Sequence, residues 1–209
     1  MVWYHLFYDI RGEELQRAQC FKEEHLLKKQ DRLNRNQIVR SAIVIIILSL
    51  FQNSLKLHHW SGLFTYLTNW SQWCILLTAS IGLLLASKPH YCHKSAINLY
   101  ALHHIFYTLA LFTQPVVVLI YWAIVHESNI KEMREEAAGD VKKFESMLIH
   151  SVLAHILPGL CCLALLLCTP CVLLKRHCRY LVAFGIFYGV SNYAATKSRG
   201  APLYWFLTW

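Results

Sequence analysis

The stretch SAINLYALHHIFYTLALFTQPVVVLIYWAIV, residues 95–125, decides the fold. It runs for 31 residues without a lysine, arginine, aspartate or glutamate. About 20 apolar residues cross a bilayer as a helix, whereas a buried strand is bounded by turn signals after roughly 4–8. The run is therefore a membrane helix, and helices rather than barrel strands follow for its neighbours. Four more stretches resemble it, at 38–55, 61–87, 146–170 and 180–195, and apart from Arg40 they too hold no charged residue. Only 15% of the 209 residues are charged, and 56% are hydrophobic. A soluble domain carries about 25% charge. The fold class is all-α, a polytopic membrane helix bundle of about five spans. The first and last stretches are the shortest.

The charged residues lie between the apolar stretches. Residues 1–37 form an N-terminal segment and 38–209 the membrane bundle. Residues 11–37 are polar and free of proline, and they predict an amphipathic helix leading into the first span. Residues 126–147 mix acids and bases at helical spacing and predict a short exposed helix broken near Gly139. Thirteen of the 20 lysines and arginines fall on the N-terminal side of the bilayer, which places the N-terminus inside. The net charge of +8 is spread over juxtamembrane loops. Lipid headgroups are the expected partner, and nucleic acid is not. The opening MVWYHLFYDI is too short to span and lacks a small-residue cleavage site, so it is expected to be an interfacial anchor and not a leader.

FTYLTNWSQW, residues 64–73, is unusual for a span because half of it is polar. At about 100° per residue, Ser61, Thr65, Thr68, Asn69 and Gln72 share one face, and Ser71 does not. Polar groups in lipid need partners, so this stripe faces other helices or a cavity. In SMLIHSVLAHILPGL, residues 146–160, His150 and His155 lie about 140° apart and do not share a face. Membrane-depth histidines are functional candidates by default. Pro158 removes the hydrogen bond to the carbonyl of Ala154, four residues earlier. CTPC at 168–171 lacks a second ligand pair, so packing or acylation of Cys171 and Cys178 is expected in place of zinc. No metal site is expected. The one cofactor arrangement to consider is a haem held by His103, His104 or His150, which no spacing supports. Soluble-enzyme motifs are absent: there is no Walker loop, dinucleotide turn or nucleophile elbow.

The runs LFTYLTNWSQW, LYALHHIFYTLALFTQPVVVLIYW, MLIHSVLAHILPGL and APLYWFLTW occur in the order seen in the rolling stone family. That family is similar to the androgen-induced, fatty-acid-ester hydrolase group of multi-pass membrane proteins. The resemblance covers residue 38 to the C-terminus. It implies a helical fold of about six spans, of which the last is not represented here. It also implies a plasma-membrane or endoplasmic-reticulum setting. In the hydrolase group a threonine and a histidine cleave lipid esters, and Thr68 matches the threonine. Aligned without a gap through Pro158, Leu153 falls at the catalytic histidine. The pattern therefore favours a non-catalytic scaffold or accessory subunit packed with other membrane subunits, which would also suit the mitochondrial inner membrane. The alternative is a lipid ester hydrolase using Thr68 with His150 or His155, and Asn69 or Gln72 as oxyanion donor.

Overall fold

The computed structural model describes residues 26–57, 66–87, 98–169, 177–202 and 204; of residues 26–32 it describes the backbone alone. Among the described residues the chain is helical and forms no strand. The helices are α1 (Leu26–Leu57), α2 (Leu67–Ser87), α3 (Leu99–Ile120), α4 (His126–Ala137), α5 (Val141–Cys168) and α6 (Cys178–Arg199). Between α3 and α4 the chain makes one π turn, Tyr121–Val125, without leaving the helix. Four segments are long and apolar enough to cross a bilayer: Leu33–Lys56, Leu67–Ser87, Leu99–Ala137 and Val141–Cys168. The last expected span, 180–195, is helical within α6. It is not among these four, because Asn192, Thr196 and three tyrosines dilute its apolar residues.

The expected N-terminal helix is seen from Leu26 onward and enters the first span without a break. The boundary at residue 37 is thus one of composition. The expected exposed helix at 126–147 is α4. It ends where Ala138 (φ 48°) and Gly139 (φ 90°) take left-handed backbone. Such angles suit glycine and cost alanine energy, and they let α5 fold back along α4. Asp140 then caps α5 by accepting from the Lys143 N–H at 3.1 Å.

Helix α2 sits at the centre. It packs on α1, α3 and α5, most extensively on α3. Ile43, Ile47, Leu50 and Phe51 recur at helical spacing on α1 and meet Cys74, Ile75, Leu76 and Ala79 of α2. Helices α3 and α5 run antiparallel. Tyr107 lies level with Thr169, Ala110 with Cys162, and Tyr121 with Ser151. Large apolar side chains point outward: Leu119, Leu167, Val182, Ile186 and Phe187 are each more than 60% exposed. Meanwhile Ser71, Gln72, Thr78, Thr108, Gln114 and Asn192 are buried. Apolar outside and hydrogen-bonded inside is the arrangement a lipid solvent demands.

One end of the bundle is tied by Arg40. Its guanidinium donates to the Gly82 carbonyl at 3.0 Å and to Thr169 Oγ1 at 3.2 Å, linking α1 to α2 and to the end of α5. Asn36 adds a bond to the Cys168 carbonyl at 3.0 Å.

Candidate functional site

Thr68 is the second residue of α2, at the end of the bundle opposite Arg40. Its Oγ1 lies 3.2 Å from Nε2 of His155 on α5. The other ring nitrogen, Nδ1, lies 2.7 Å from the carbonyl oxygen of Ser151, one turn earlier on α5. A carbonyl only accepts, so Nδ1 carries a proton. In the neutral ring Nε2 then holds a lone pair, and the Thr68 hydroxyl donates to it. This is a hydroxyl, a base and a group that orients the base, in that order. Both side chains are half-buried.

Of the two histidines weighed from sequence, His155 meets Thr68 and His150 does not. Leu153, which the ungapped alignment put at the base's position, is 38% exposed. A histidine does lie within hydrogen-bond reach of Thr68, two residues beyond the position that the ungapped alignment indicated.

A second ring of polar groups supports His155. The Tyr121 ring lies flat on the imidazole, with centroids 3.4 Å apart and planes 10° from parallel. Its hydroxyl is 2.8 Å from Ser151 Oγ and 3.1 Å from His126 Nδ1. Asn129 donates to the same Ser151 Oγ at 2.8 Å. The sequence marked the Tyr121–Trp122 pair as part of the family resemblance but assigned none of these four residues to a site. The available signal was the polarity of His126 and Asn129 just beyond an apolar run.

Within the stripe, Gln72 links two helices. Gln72 Nε2 donates to the carbonyl of Ala154 at 3.0 Å, the acceptor that Pro158 leaves free. That bond uses one of the two hydrogens on the Gln72 amide nitrogen. Gln72→Leu should therefore destabilise the protein by about 1 kcal/mol, since intramembrane hydrogen bonds average less than that and the carbonyl is left unmet. Detergent-solubilised protein titrated with denaturing detergent measures it, and an unchanged midpoint would refute the role. Asn69 is buried beside Thr68. Ser71, read as lying off the stripe, is also buried: its Oγ is 2.8 Å from the Thr68 carbonyl and 2.7 Å from Gln114 Oε1. Helices α3 and α5 flank α2 on two sides, so its inward surface is wider than one stripe. Ser61 and Thr65 lie outside the described residues.

The closing segment reaches the same end. The Leu67 N–H donates to the Tyr204 hydroxyl at 3.3 Å, satisfying a first-turn donor of α2. Trp70, next to the stripe, packs edge-on against Phe184 and Tyr188 of α6.

His103 and His104 lie at the opposite end. His104 Nε2 is 3.2 Å from His177 Nε2, and His103 stacks on Tyr107. His150 neighbours Ser151 and so lies level with Tyr121. Some 17 residues of α3, about 25 Å at 1.5 Å each, separate the two levels. One haem iron cannot join them. Among the described residues no three His, Cys, Asp or Glu side chains gather as a metal would require.

No family model, curated protein or solved structure matches this chain.

Proposed function

We propose that this multi-pass membrane protein is a lipid ester hydrolase, with Thr68 as nucleophile and His155 as general base. One observation carries the reading: the Thr68 hydroxyl faces the lone pair of a histidine whose other nitrogen is held by a carbonyl.

The chemistry balances on these two residues. Thr68 Oγ1 forms a bond to the ester carbonyl carbon while His155 Nε2 takes the hydroxyl proton. The tetrahedral intermediate collapses, the ester C–O bond breaks, and the imidazolium returns the proton to the leaving alkoxide as an alcohol. Water, deprotonated by His155, then attacks the acyl-threonine; the acyl C–Oγ1 bond breaks, the imidazolium returns the proton to Thr68 Oγ1, and a carboxylic acid leaves. Negative charge develops beside the first turn of α2, where the helix dipole favours it. With the orientation the basic residues predict, the pair faces the non-cytoplasmic side. Thr68 lies in the first turn of its helix, at that end of the span. The rolling stone-like resemblance, with its plasma-membrane or endoplasmic-reticulum setting, fits this reading.

Purified protein in mixed micelles with a long-chain fluorogenic ester tests it. Thr68→Ala should lower turnover by about 10³-fold or more, and Thr68→Ser should retain it within about tenfold. Turnover that survives Thr68→Ala sinks the proposal. The second reading is a non-catalytic scaffold or accessory subunit. It is supported by the use of Ser71 and Gln72 as links between helices. It expects no turnover in the wild type and co-purifying membrane subunits.

A further inference from the structure

Resting on the hydrolase reading, we infer that Tyr121 is the positioning residue for His155, and that the π turn is what aims it. Three observations converge. The first is the flat contact between the two rings, which covers one face of the imidazole and blocks rotation toward that side. Tyr121 is itself only 3% exposed. The second is that the tyrosine cannot swing away. Its hydroxyl is held between Ser151 Oγ and His126 Nδ1, and Ser151 Oγ also accepts from Asn129. Ser151 thus serves the site twice: its carbonyl fixes the protonated nitrogen of His155, and its hydroxyl fixes the ring that lies on His155.

The third observation is the backbone. In an α-helix, residues five apart are about 140° apart and do not meet. The π turn closes on an i→i+5 bond, from the His126 N–H to the Tyr121 carbonyl, and so brings the His126 and Tyr121 rings together edge-on, with centroids 5.3 Å apart. It also sets Asn129 within reach of α5. A π turn inside an otherwise regular helix needs a reason, and such turns collect at functional sites. Here its effect is to build the three-sided holder for one tyrosine. Tyr121 touches no reacting atom. It acts by keeping the His155 lone pair directed at the Thr68 hydroxyl, where a misplacement of 1 Å costs about 10²-fold.

The experiment uses the full chain in lipid nanodiscs, labelled with ¹⁵N-histidine, in wild-type and Thr68→Ala backgrounds. Nitrogen shifts distinguish the two imidazole tautomers, and His155→Gln assigns the signal. In the wild type, His155 should report the Nδ1–H tautomer alone. Tyr121→Leu should give an averaged signal and lower kcat by about tenfold or more, with KM unchanged within about twofold. Tyr121→Phe keeps the ring but loses the bonds that hold it, so it should keep the tautomer and lose clearly less kcat than Tyr121→Leu. If Tyr121→Leu fails to fold, Tyr121→Met, a flexible filler without a flat face, takes its place. A tautomer signal unmoved by loss of the ring overturns the inference, as does a Tyr121→Phe protein as impaired as Tyr121→Leu. The spectrum of the Thr68→Ala protein answers the question without turnover. Failure of the hydrolase reading is therefore seen separately, as a wild type without turnover or as activity that persists without Thr68.

Discussion

His155→Gln should lower ester turnover by about 10²–10⁴-fold, the usual contribution of a general base. Glutamine nearly preserves the size of the ring and can still bond the Thr68 hydroxyl, 3.2 Å away in the wild type. It cannot take the proton. The loss should therefore fall on kcat, with little change in KM. The same change at His150 is the contrast. His150 shares the helix but not the face, and His150→Gln should leave turnover within about threefold. The pH profile gives a second readout. Only the neutral imidazole accepts the Thr68 proton, so wild-type activity should fall on the acid side as His155 becomes protonated. His155→Gln should lose that acid limb along with the rate. Equal damage from both histidines would mean that bundle stability, and not proton transfer, was being measured.

Gly82→Ala carries the largest expected structural effect. A Cβ at this position would lie 2.9 Å from Arg40 Nε, 3.0 Å from Cζ and 3.1 Å from Cδ. A flexible side chain would ordinarily move aside. This one is pinned by its bonds to the Gly82 carbonyl and to Thr169. Its Nε is already buried without a partner. No carboxylate neutralises it among the described residues, where the single ion pair is Lys143–Glu136. Retreat would break both bonds and leave more of a cation unmet at the membrane edge. Overpacking of this kind costs about 1–3 kcal/mol. Unfolding of the detergent-solubilised protein measures it. The double change with Arg40→Met decides the cause: without the guanidinium, Gly82→Ala should be nearly neutral. An equal cost in both backgrounds would show that the glycine matters for another reason.

How much of this was legible in the sequence follows from the range of each interaction. The long uncharged runs identified the helices because hydropathy is a local property. The inward face of Thr68, Asn69 and Gln72 was legible because 100° per residue needs no tertiary information. So was the carbonyl of Ala154, freed by a proline four residues on and found bonded to Gln72. The axial register of α2 against α5 was not legible. It depends on how Ile75, Ala79, Cys162 and their neighbours interlock, and it decides between His150, Leu153 and His155. An ungapped alignment chose Leu153. The support around His155 was hidden for a different reason. Tyr121, His126, Ser151 and Asn129 meet only across a π turn and two helices, and regular helical periodicity puts Tyr121 and His126 on different sides.

That π turn also affects how lengths compare between sequences. It spends one residue more per turn than an α-helix. The same five residues, Tyr121 to Val125, could instead close the rod as plain α-helix. Everything beyond would then rotate by about 100°. The apolar run would look unchanged, and the span would cross the membrane just as well. His126 and Asn129 would nevertheless face away from Ser151. A sequence one residue shorter in this stretch, closed as plain α-helix, would keep its later residues on the faces they hold here, so length and turn type must be read together.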